Sequence, residues 1–249
     1  APHKDTYDCD CIPVVPINVA TLASRFHRGV EYPIPKEWKP TLRMLMRDLS
    51  ILLHLSWRSG EPMYLFTDDI ADYFNQLRLA EEELWKSVVV TLAAEGDAHF
   101  SAAEPRLAYA AENCLGFGTR RASNYAQRLS NLLMEVTARR ALTKDRQIWE
   151  RSRVPAVREW FHRRRVLEEK TGRVEARAFT NLMYTDDGAF ACVGIASCQN
   201  LLKEWTGTCS EAGLIMAIPA KRQIGTMVVW LGVLVFSVLG ICVVTRAKL

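Results

Sequence analysis

The sequence lacks the cysteine and histidine patterns of a zinc finger or a disulfide scaffold. Its seven cysteines are scattered without a CxxC pair, and its five histidines include no HExxH spacing. The pattern of a secretory signal peptide is also missing from the first residues. These absences argue against a zinc site and predict reduced, buried thiols in an intracellular protein of the cytoplasm or nucleus.

The chain also has little net charge for its size, and that charge is unevenly distributed. Its 249 residues carry a formal net charge of +4, whereas residues 138–177 alone contain 13 Lys and Arg against 6 Asp and Glu. The rest of the chain is therefore net acidic. A basic segment beside an acidic region suits a bound polyanion such as a nucleic acid. A solvated helical surface laced with salt bridges is the alternative explanation.

No steady alternation of strands and helices runs along the chain, which disfavours a parallel α/β sheet. The order strand, helix, strand, strand, helix, strand predicts an α+β fold, an antiparallel sheet with helices packed on one face. Residues 1–40 are rich in proline and are expected to be irregular. Apolar spacing predicts helices over residues 80–95, 122–136 and 197–212, and residues 41–58 fit either a helix or a strand followed by a helix.

One long apolar run occupies residues 227–245, which contain no charged side chain. Its length satisfies the criterion for a membrane-spanning helix. Its many valines, together with Gly232 and Gly240, favour a β-hairpin instead. We therefore expect a hairpin and no membrane partner, and a protein anchored to a membrane through this run is the alternative.

Two acidic segments each lie at the end of a predicted strand. Asp68 and Asp69 follow an apolar strand, and residues 184–187 (YTDD) lie inside a two-strand pattern over residues 177–193. Adjacent carboxylates repel each other unless a cation compensates their charge. The two segments together therefore predict a site for two divalent cations, Mg²⁺ or Mn²⁺, that serves phosphate chemistry.

The order of five short motifs resembles that of the reverse transcriptase domain of retrotransposons. Residues 69–79 (DIADYFNQLRL) are similar to the first palm motif of that family, in which an aromatic residue follows an aspartate five positions later. Asp69 fits this register through Phe74, and Asp68 has Tyr73 at the same spacing, so the choice of Asp69 is an interpretation. The other motifs follow in the family's order: residues 115–119 (LGFGT), 184–187 (YTDD), 213–221 (GLIMAIPAK) and 230–232 (WLG).

The resemblance implies an RNA-directed DNA polymerase that adds deoxynucleotides to the 3′-hydroxyl of a primer. Asp69, Asp186 and Asp187 would then be catalytic and bind the two metal ions. Lys221 would be catalytic by donating a proton to the pyrophosphate or neutralising it. The nucleotide-binding positions implied by the resemblance are Phe74, Phe117, Gly118, Arg43 and Arg47. The positions implied to contact primer or template are Tyr184, Trp230, Leu231 and Gly232.

The resemblance also implies a division of the chain. Residues 1–40 would precede a reverse transcriptase domain at 41–249, with fingers at 41–64 and 78–113, palm at 65–77 and 114–226, a basic helical insert at 138–177, and a primer-grip-like hairpin at 227–249. The expected partners are dNTPs, an RNA or DNA template with its primer, and the downstream thumb, connection and RNase H regions of a longer polyprotein. The alternative function is a catalytically inactive, retroelement-derived protein that binds nucleic acid.

Overall fold

The computed structural model describes residues 38–79, 81, 88–92, 107–111, 113–115 and 122–245. The chain divides into two compact units. The smaller unit comprises Ala1–Lys36 and Asp72–Tyr125, and the larger unit comprises Glu37–Ala71 and Ala126–Leu249. The elements in chain order are α1 (Leu42–Ser59), β1 (Met63–Asp69), α2 (Tyr73–Gln76), β2 (Val88–Leu92), β3 (Leu107–Ala111), α3 (Ala122–Glu150), α4 (Pro155–Thr171), β4 (Phe179–Tyr184), β5 (Asp187–Val193), α5 (Ile195–Glu211), β6 (Gln223–Gly225), β7 (Met227–Trp230), β8 (Val233–Phe236) and β9 (Ile241–Val244).

Helix α1 settles the two alternatives that the sequence offered for residues 41–58. Thr41 caps its N-terminus by accepting a hydrogen bond from the Met44 amide, and Gly60 ends it at a φ of 72°, where glycine is favoured. The segment is therefore one continuous helix. Its buried face consists of leucines at helical spacing, namely Leu45, Leu49, Leu52 and Leu55.

The larger unit is built on a four-stranded antiparallel sheet with the strand order β4-β5-β1-β6. On one face, the Phe66 ring stacks on the Phe190 ring at 4.3 Å, and Phe190 packs against Trp205 of α5 at 5.2 Å between ring centroids. On the other face, Leu65 and Ala191 belong to a hydrophobic cluster that includes α1, α4 and strands β7 and β8. The sheet is therefore the centre of two apolar layers.

These observations confirm the α+β class and the antiparallel sheet. The sequence placed the helices on one face, whereas the structure has helices against both faces. The physical reason is that neighbouring residues of β1, such as Leu65 at 1% exposure and Phe66 at 0%, are apolar on both sides of the strand. The strand pattern therefore gives no sign of a solvated face.

The smaller unit contains a strand where a helix was predicted. Strand β2 pairs antiparallel with β3, from Val88 opposite Ala111 to Leu92 opposite Leu107. The helix predicted over residues 80–95 is therefore wrong at residues 88–92. The acidic residues at its start are typical of a helix N-terminus, but the β-branched run VVVT loses side-chain freedom in a helix and packs well in a strand.

The apolar run after residue 226 forms a three-stranded antiparallel sheet, β7-β8-β9. The predicted hairpin is confirmed for β7 and β8, which the two-residue turn Leu231-Gly232 connects, and β9 adds a third strand. Val228 and Trp230 are buried in the core of the larger unit. Across the part of the chain that the structure describes, no helix is long and apolar enough to cross a membrane.

The basic segment is largely helical, since it covers the second half of α3 and all of α4. Six of its thirteen Lys and Arg side chains form ion pairs with glutamates. These pairs are Arg139–Glu135, Arg140–Glu211, Arg146–Glu168, Arg163–Glu159, Arg164–Glu175 and Arg165–Glu150. Because paired charges cancel at a distance, this arrangement favours the salt-bridged explanation of the segment's composition.

Candidate active site

The two acidic segments meet at one end of the four-stranded sheet. Asp69, the last residue of β1, lies directly opposite Asp187, the first residue of β5, and Asp187 also lies opposite Tyr184 at the end of β4. Neighbouring strands lie about 4.8 Å apart, and side chains directly opposite each other project from the same face. The register therefore brings Asp69, Asp187 and Tyr184 together at this end of the sheet.

The structure distinguishes Asp69 from Asp68, which the sequence offered as alternatives. Successive residues of a strand point to opposite faces. Asp68 is 4% exposed, and its Oδ2 accepts hydrogen bonds from Trp205 Nε1 at 2.9 Å and from Arg222 Nη2 at 2.6 Å. Asp69 shares the face of Asp187, and its side chain is 27% exposed. Of the two, Asp69 is the one placed to reach a ligand beside Asp187.

The turn that carries Asp186 has a strained backbone and is held by hydrogen bonds with side chains of α3. Thr185 has a φ of 60°, in the left-handed region that β-branched residues rarely adopt. Gln127 donates a hydrogen bond to the Met183 carbonyl at 2.8 Å and accepts one from the Thr185 amide at 2.9 Å, and Ser130 donates to the Thr185 carbonyl. Both side chains are fully buried. They therefore fix the turn on both sides.

Gln127 and Ser130 were not predicted from the sequence. The apolar spacing that predicts a helix over residues 122–136 includes Leu132, which is 57% exposed, and gives no sign of the polar residues that point inward. The available signal was the three-residue spacing of Gln127 and Ser130, which places both on one side of a helix. That spacing alone does not say which backbone groups the two side chains bind.

The electrostatics of the turn favour a nearby cation. Burial is the main cause that raises the pKa of Asp186 above its ordinary value, and the negative charge of Asp69 raises it further. The backbone amides of Asp186 and Asp187 and the charge of Lys221 act in the opposite direction. Because the net shift is upward, the Asp186 carboxylate is incompletely compensated, and a divalent cation beside Asp69 would relieve the repulsion.

Lys221 reaches the acidic residues from the segment that follows α5. Met216 of this segment bridges Ile70, the residue that follows β1, and Gln223 pairs with Thr67 of β1. Between these contacts the chain leaves the edge of the sheet in an excursion over residues 218–222. The 3₁₀ turn Pro219–Lys221 lies in this excursion, and Lys221 Nζ is 3.5 Å from Asp69 Oδ2. The predicted lysine is therefore within ion-pair distance of the predicted metal ligand.

The carboxylates suit a hard divalent cation that also binds substrate oxygens. Mg²⁺ is usually held by one or two carboxylates together with phosphates, and not by an all-protein cage. Asp69 and Asp187, paired across two strands, supply that number. Within the described ranges, however, no group of three or more His, Cys, Asp or Glu side chains is gathered closely enough to hold a metal ion. The metal-binding role of Asp69, Asp186 and Asp187 therefore stays a prediction.

A groove runs beside the acidic residues. Its volume is about 630 Å³, and it is lined by Tyr184, Asp187, Val229, Leu231 and Gly232. Trp230 is 2% exposed and donates from Nε1 to the Asp187 carbonyl at 3.1 Å, so it supports the wall of the groove. Leu231 has a φ of 50°, which is unfavourable for leucine, and it is 38% exposed. The predicted primer contacts therefore border one groove.

The remaining predicted residues lie elsewhere. The Arg47 guanidinium binds Asp48 at 2.8 Å on the exposed side of α1, and Arg43 is exposed one turn earlier. Phe74 belongs to the smaller unit, where it is 7% exposed and packs edge-on against Tyr73. Phe117 and Gly118 lie outside the described residues. The nucleotide-binding roles of these five predicted residues stay predictions.

Comparison with known proteins finds likeness only among solved structures. No protein-family model and no curated protein matches the chain. It is similar to apo telomerase from Candida tropicalis (TM-score 0.48, 9% identity, 91% of this chain and 39% of that one). A form of that telomerase truncated from the C-terminal domain gives a TM-score of 0.46 at 8% identity, over 91% of this chain and 44% of that one. Telomerase from Candida albicans in complex with a TWJ fragment of telomeric RNA gives a TM-score of 0.42 at 10% identity, over 88% of this chain and 36% of that one.

The chain thus spans less than half the length of these telomerase chains. At such identities and TM-scores the likeness carries no argument about activity, substrate or partner. The α+β architecture is established by the chain's own helices and antiparallel strands.

Proposed function

We propose that this chain is the fingers–palm portion of an RNA-directed DNA polymerase of the retrotransposon type. The observation that carries the proposal is the strand register that sets Asp69 opposite Asp187, with Asp186 in the adjoining turn. Lys221 and the groove beside Tyr184 support it further. A polymerase needs carboxylates, a compensating cation and room for a nucleic-acid strand at one place.

Phosphoryl transfer depends on positioned groups and compensated charge more than on covalent chemistry. Asp69, Asp186 and Asp187 would hold two Mg²⁺ or Mn²⁺ ions together with phosphate oxygens of the substrate, and the chemistry supplied by such ions when bound would be activation of the attacking hydroxyl and charge stabilisation of the leaving group. Lys221 would supply a proton to the departing pyrophosphate or neutralise its charge. The 3.5 Å approach of Lys221 to Asp69 supports this role, because it keeps a cation at the edge where pyrophosphate would leave.

The primer end would lie in the groove lined by Tyr184, Leu231 and Gly232, with Trp230 holding its wall. Phe74 would pack against the sugar of the incoming dNTP and disfavour a 2′-hydroxyl. Template and primer backbones would add contacts that depend on salt and not on sequence. The downstream thumb, connection and RNase H regions of a longer polyprotein would complete the enzyme.

Primer extension tests the proposal. Residues 1–249 are incubated with a DNA primer annealed to an RNA template, with dNTPs and Mg²⁺ or Mn²⁺. We expect extension by the wild type and a loss of about a hundredfold or more for Asp186→Asn, because the metal would lose a carboxylate. Glu135→Gln changes an exposed carboxylate on α3 and is the matched control, expected to extend like the wild type.

Extension that is insensitive to Asp186→Asn would contradict the catalytic assignment. If no variant extends the primer but the wild type still binds template–primer, the catalytically inactive nucleic-acid-binding protein becomes the better description. Replacing the dNTPs by ribonucleotides tests the proposed sugar selectivity in the same assay.

A further inference from the structure

Asp68 is a buried acid that the proposed reaction leaves without a role. It directly precedes Asp69 on β1, yet it is 4% exposed and faces the opposite side of the strand. Its Oδ2 receives hydrogen bonds from Trp205 Nε1 at 2.9 Å and from Arg222 Nη2 at 2.6 Å. Taking a carboxylate and a guanidinium out of water costs free energy, which the close pairing offsets. A pair held at this cost calls for a structural or functional reason.

The position of Arg222 suggests the reason. Arg222 directly follows Lys221, just as Asp68 directly precedes Asp69. The two neighbouring pairs therefore connect β1 to the same excursion, Asp68 with Arg222 on one side and Asp69 with Lys221 on the other. The Arg222 side chain is 24% exposed and the Asp68 side chain 3%, whereas the Lys221 side chain is 63% exposed. The inner pair is thus fixed and the outer pair faces solvent.

The excursion has few other restraints beside Lys221. The Ala217 amide donates to the Asp69 carbonyl at 2.8 Å, and pairing with β1 resumes at Gln223. Between these points, the amides of Lys221 and Arg222 bond only to carbonyls within the turn itself. The side chains of Arg222 and Lys221 both link this turn to β1, and the Arg222–Asp68 contact at 2.6 Å is shorter and more buried than the Lys221–Asp69 contact at 3.5 Å.

We propose that Arg222 and Asp68 form a positioning pair that holds Lys221 beside Asp69. This inference rests on the proposed polymerase function for its kinetic consequence, and its structural part can be measured without activity. Arg222 acts through Lys221 and does not touch the reacting atoms. Asp68 serves as its buried anchor, itself oriented by the indole of Trp205.

A double-mutant cycle in the primer-extension assay separates positioning from general stability. We expect Lys221→Ala to slow incorporation at saturating dNTP by about a hundredfold, as loss of a general acid does. Arg222→Gln keeps a hydrogen-bond donor for Asp68 but removes the charge, and we expect it to slow incorporation about tenfold. The double variant should be no slower than Lys221→Ala alone, because the positioning pair has nothing left to position. Additive losses, about a thousandfold in the double variant, would overturn the inference.

Two further variants guard against misfolding. Arg222→Lys retains the positive charge and should restore most of the incorporation rate lost in Arg222→Gln. Arg139→Met removes an arginine from an exposed ion pair on α3 and should leave the rate unchanged. A rate as low for Arg222→Lys as for Arg222→Gln would contradict a role that depends on the ion pair.

Amide hydrogen exchange tests the anchor without any activity. We expect Arg222→Gln to speed exchange of the Lys221 and Arg222 amides by about tenfold or more, while the Phe190 amide in the centre of the sheet exchanges as in the wild type. Unchanged exchange in the turn would refute the positioning pair even in an active enzyme. An inactive wild type whose turn loosens in Arg222→Gln would contradict the proposed function and still support the anchor.

Discussion

Asp145 on α3 is expected to make the stability of the protein depend on pH. It is fully buried, and burial is the main cause that raises its pKa to about 6, well above the ordinary value of 3.8. The Ala178 amide and the Ser197 hydroxyl donate to its two carboxylate oxygens, at 2.8 Å and 2.6 Å, and limit the rise. Arg177 and Arg146 also lower the pKa through their charge.

The direction in which stability changes with pH follows from the direction of the Asp145 pKa shift. A folded-state pKa above the unfolded one means that the folded chain binds the proton more tightly, so stability is fully present below the unfolded pKa and is lost as pH rises through the folded pKa. At 1.36 kcal/mol per pKa unit, the shift is worth about 3 kcal/mol in all, of which roughly 1.3 kcal/mol is lost between pH 5 and pH 7.

Asp145→Asn removes the titrating group while leaving a side chain of nearly the same shape. Urea denaturation followed by far-UV circular dichroism at several pH values from 5 to 8 gives the free energy of unfolding. Relative to the variant, the free energy of unfolding of the wild type should fall by about 1.3 kcal/mol between pH 5 and pH 7. Glu169→Gln, at an exposed position on α4, is the control and should run parallel to the wild type. If the free energy of unfolding of Asp145→Asn changes with pH in the same way as that of the wild type, the buried carboxylate does not titrate as reasoned.

Two further substitutions test the strained turns of the candidate site by the same denaturation assay. Leu231→Asn should raise the free energy of unfolding by about 1 kcal/mol, because asparagine tolerates the positive φ of this two-residue hairpin turn better than leucine. Leu239 is an exposed leucine without a positive φ, and an equal stabilisation by Leu239→Asn would remove that explanation. Gln127→Leu should lower the free energy of unfolding by about 2–4 kcal/mol, because the Thr185 amide and the Met183 carbonyl lose their buried partner. Gln147→Leu, at an exposed position on the same helix, is the control. A destabilisation by Gln127→Leu as small as that of the control would show that α3 does not hold the turn.

The sequence placed several elements correctly because their signals are local. The apolar spacing of the helix predicted over residues 197–212, observed as α5 (Ile195–Glu211), and the valine-rich hairpin at β7 and β8 both act over a few residues, whereas residues 41–58 were left open between two alternatives. The strand of β2 was missed because an acidic segment before it mimics a helix start, and the competing preference of a β-branched run proved stronger. Helices on both faces of the sheet were missed because apolar residues on both sides of a strand do not say what covers them.

The candidate site divides in the same way. Motif order alone selected Asp69, Asp186, Asp187, Lys221 and the groove residues, because their chemistry depends on residue type and order along the chain. Which face of β1 each aspartate occupies depends on strand register, and register is a property of β1 and β5 together. The clamp of Gln127 and Ser130 and the pair of Asp68 with Arg222 are likewise contacts between residues far apart in sequence.

The sequence by itself therefore determined the α+β class and the order of the acidic motifs, and it predicted a chemistry for them, since these follow from residue types, short spacings and local propensities. Only the tertiary structure decided that Asp69 and not Asp68 lies on the face of Asp187, that six arginines of the basic segment pair with glutamates, and that a strained turn is held by buried polar side chains. Those features arise where distant segments pack together, and one side chain's burial or hydrogen bond is set by a partner that local sequence does not specify.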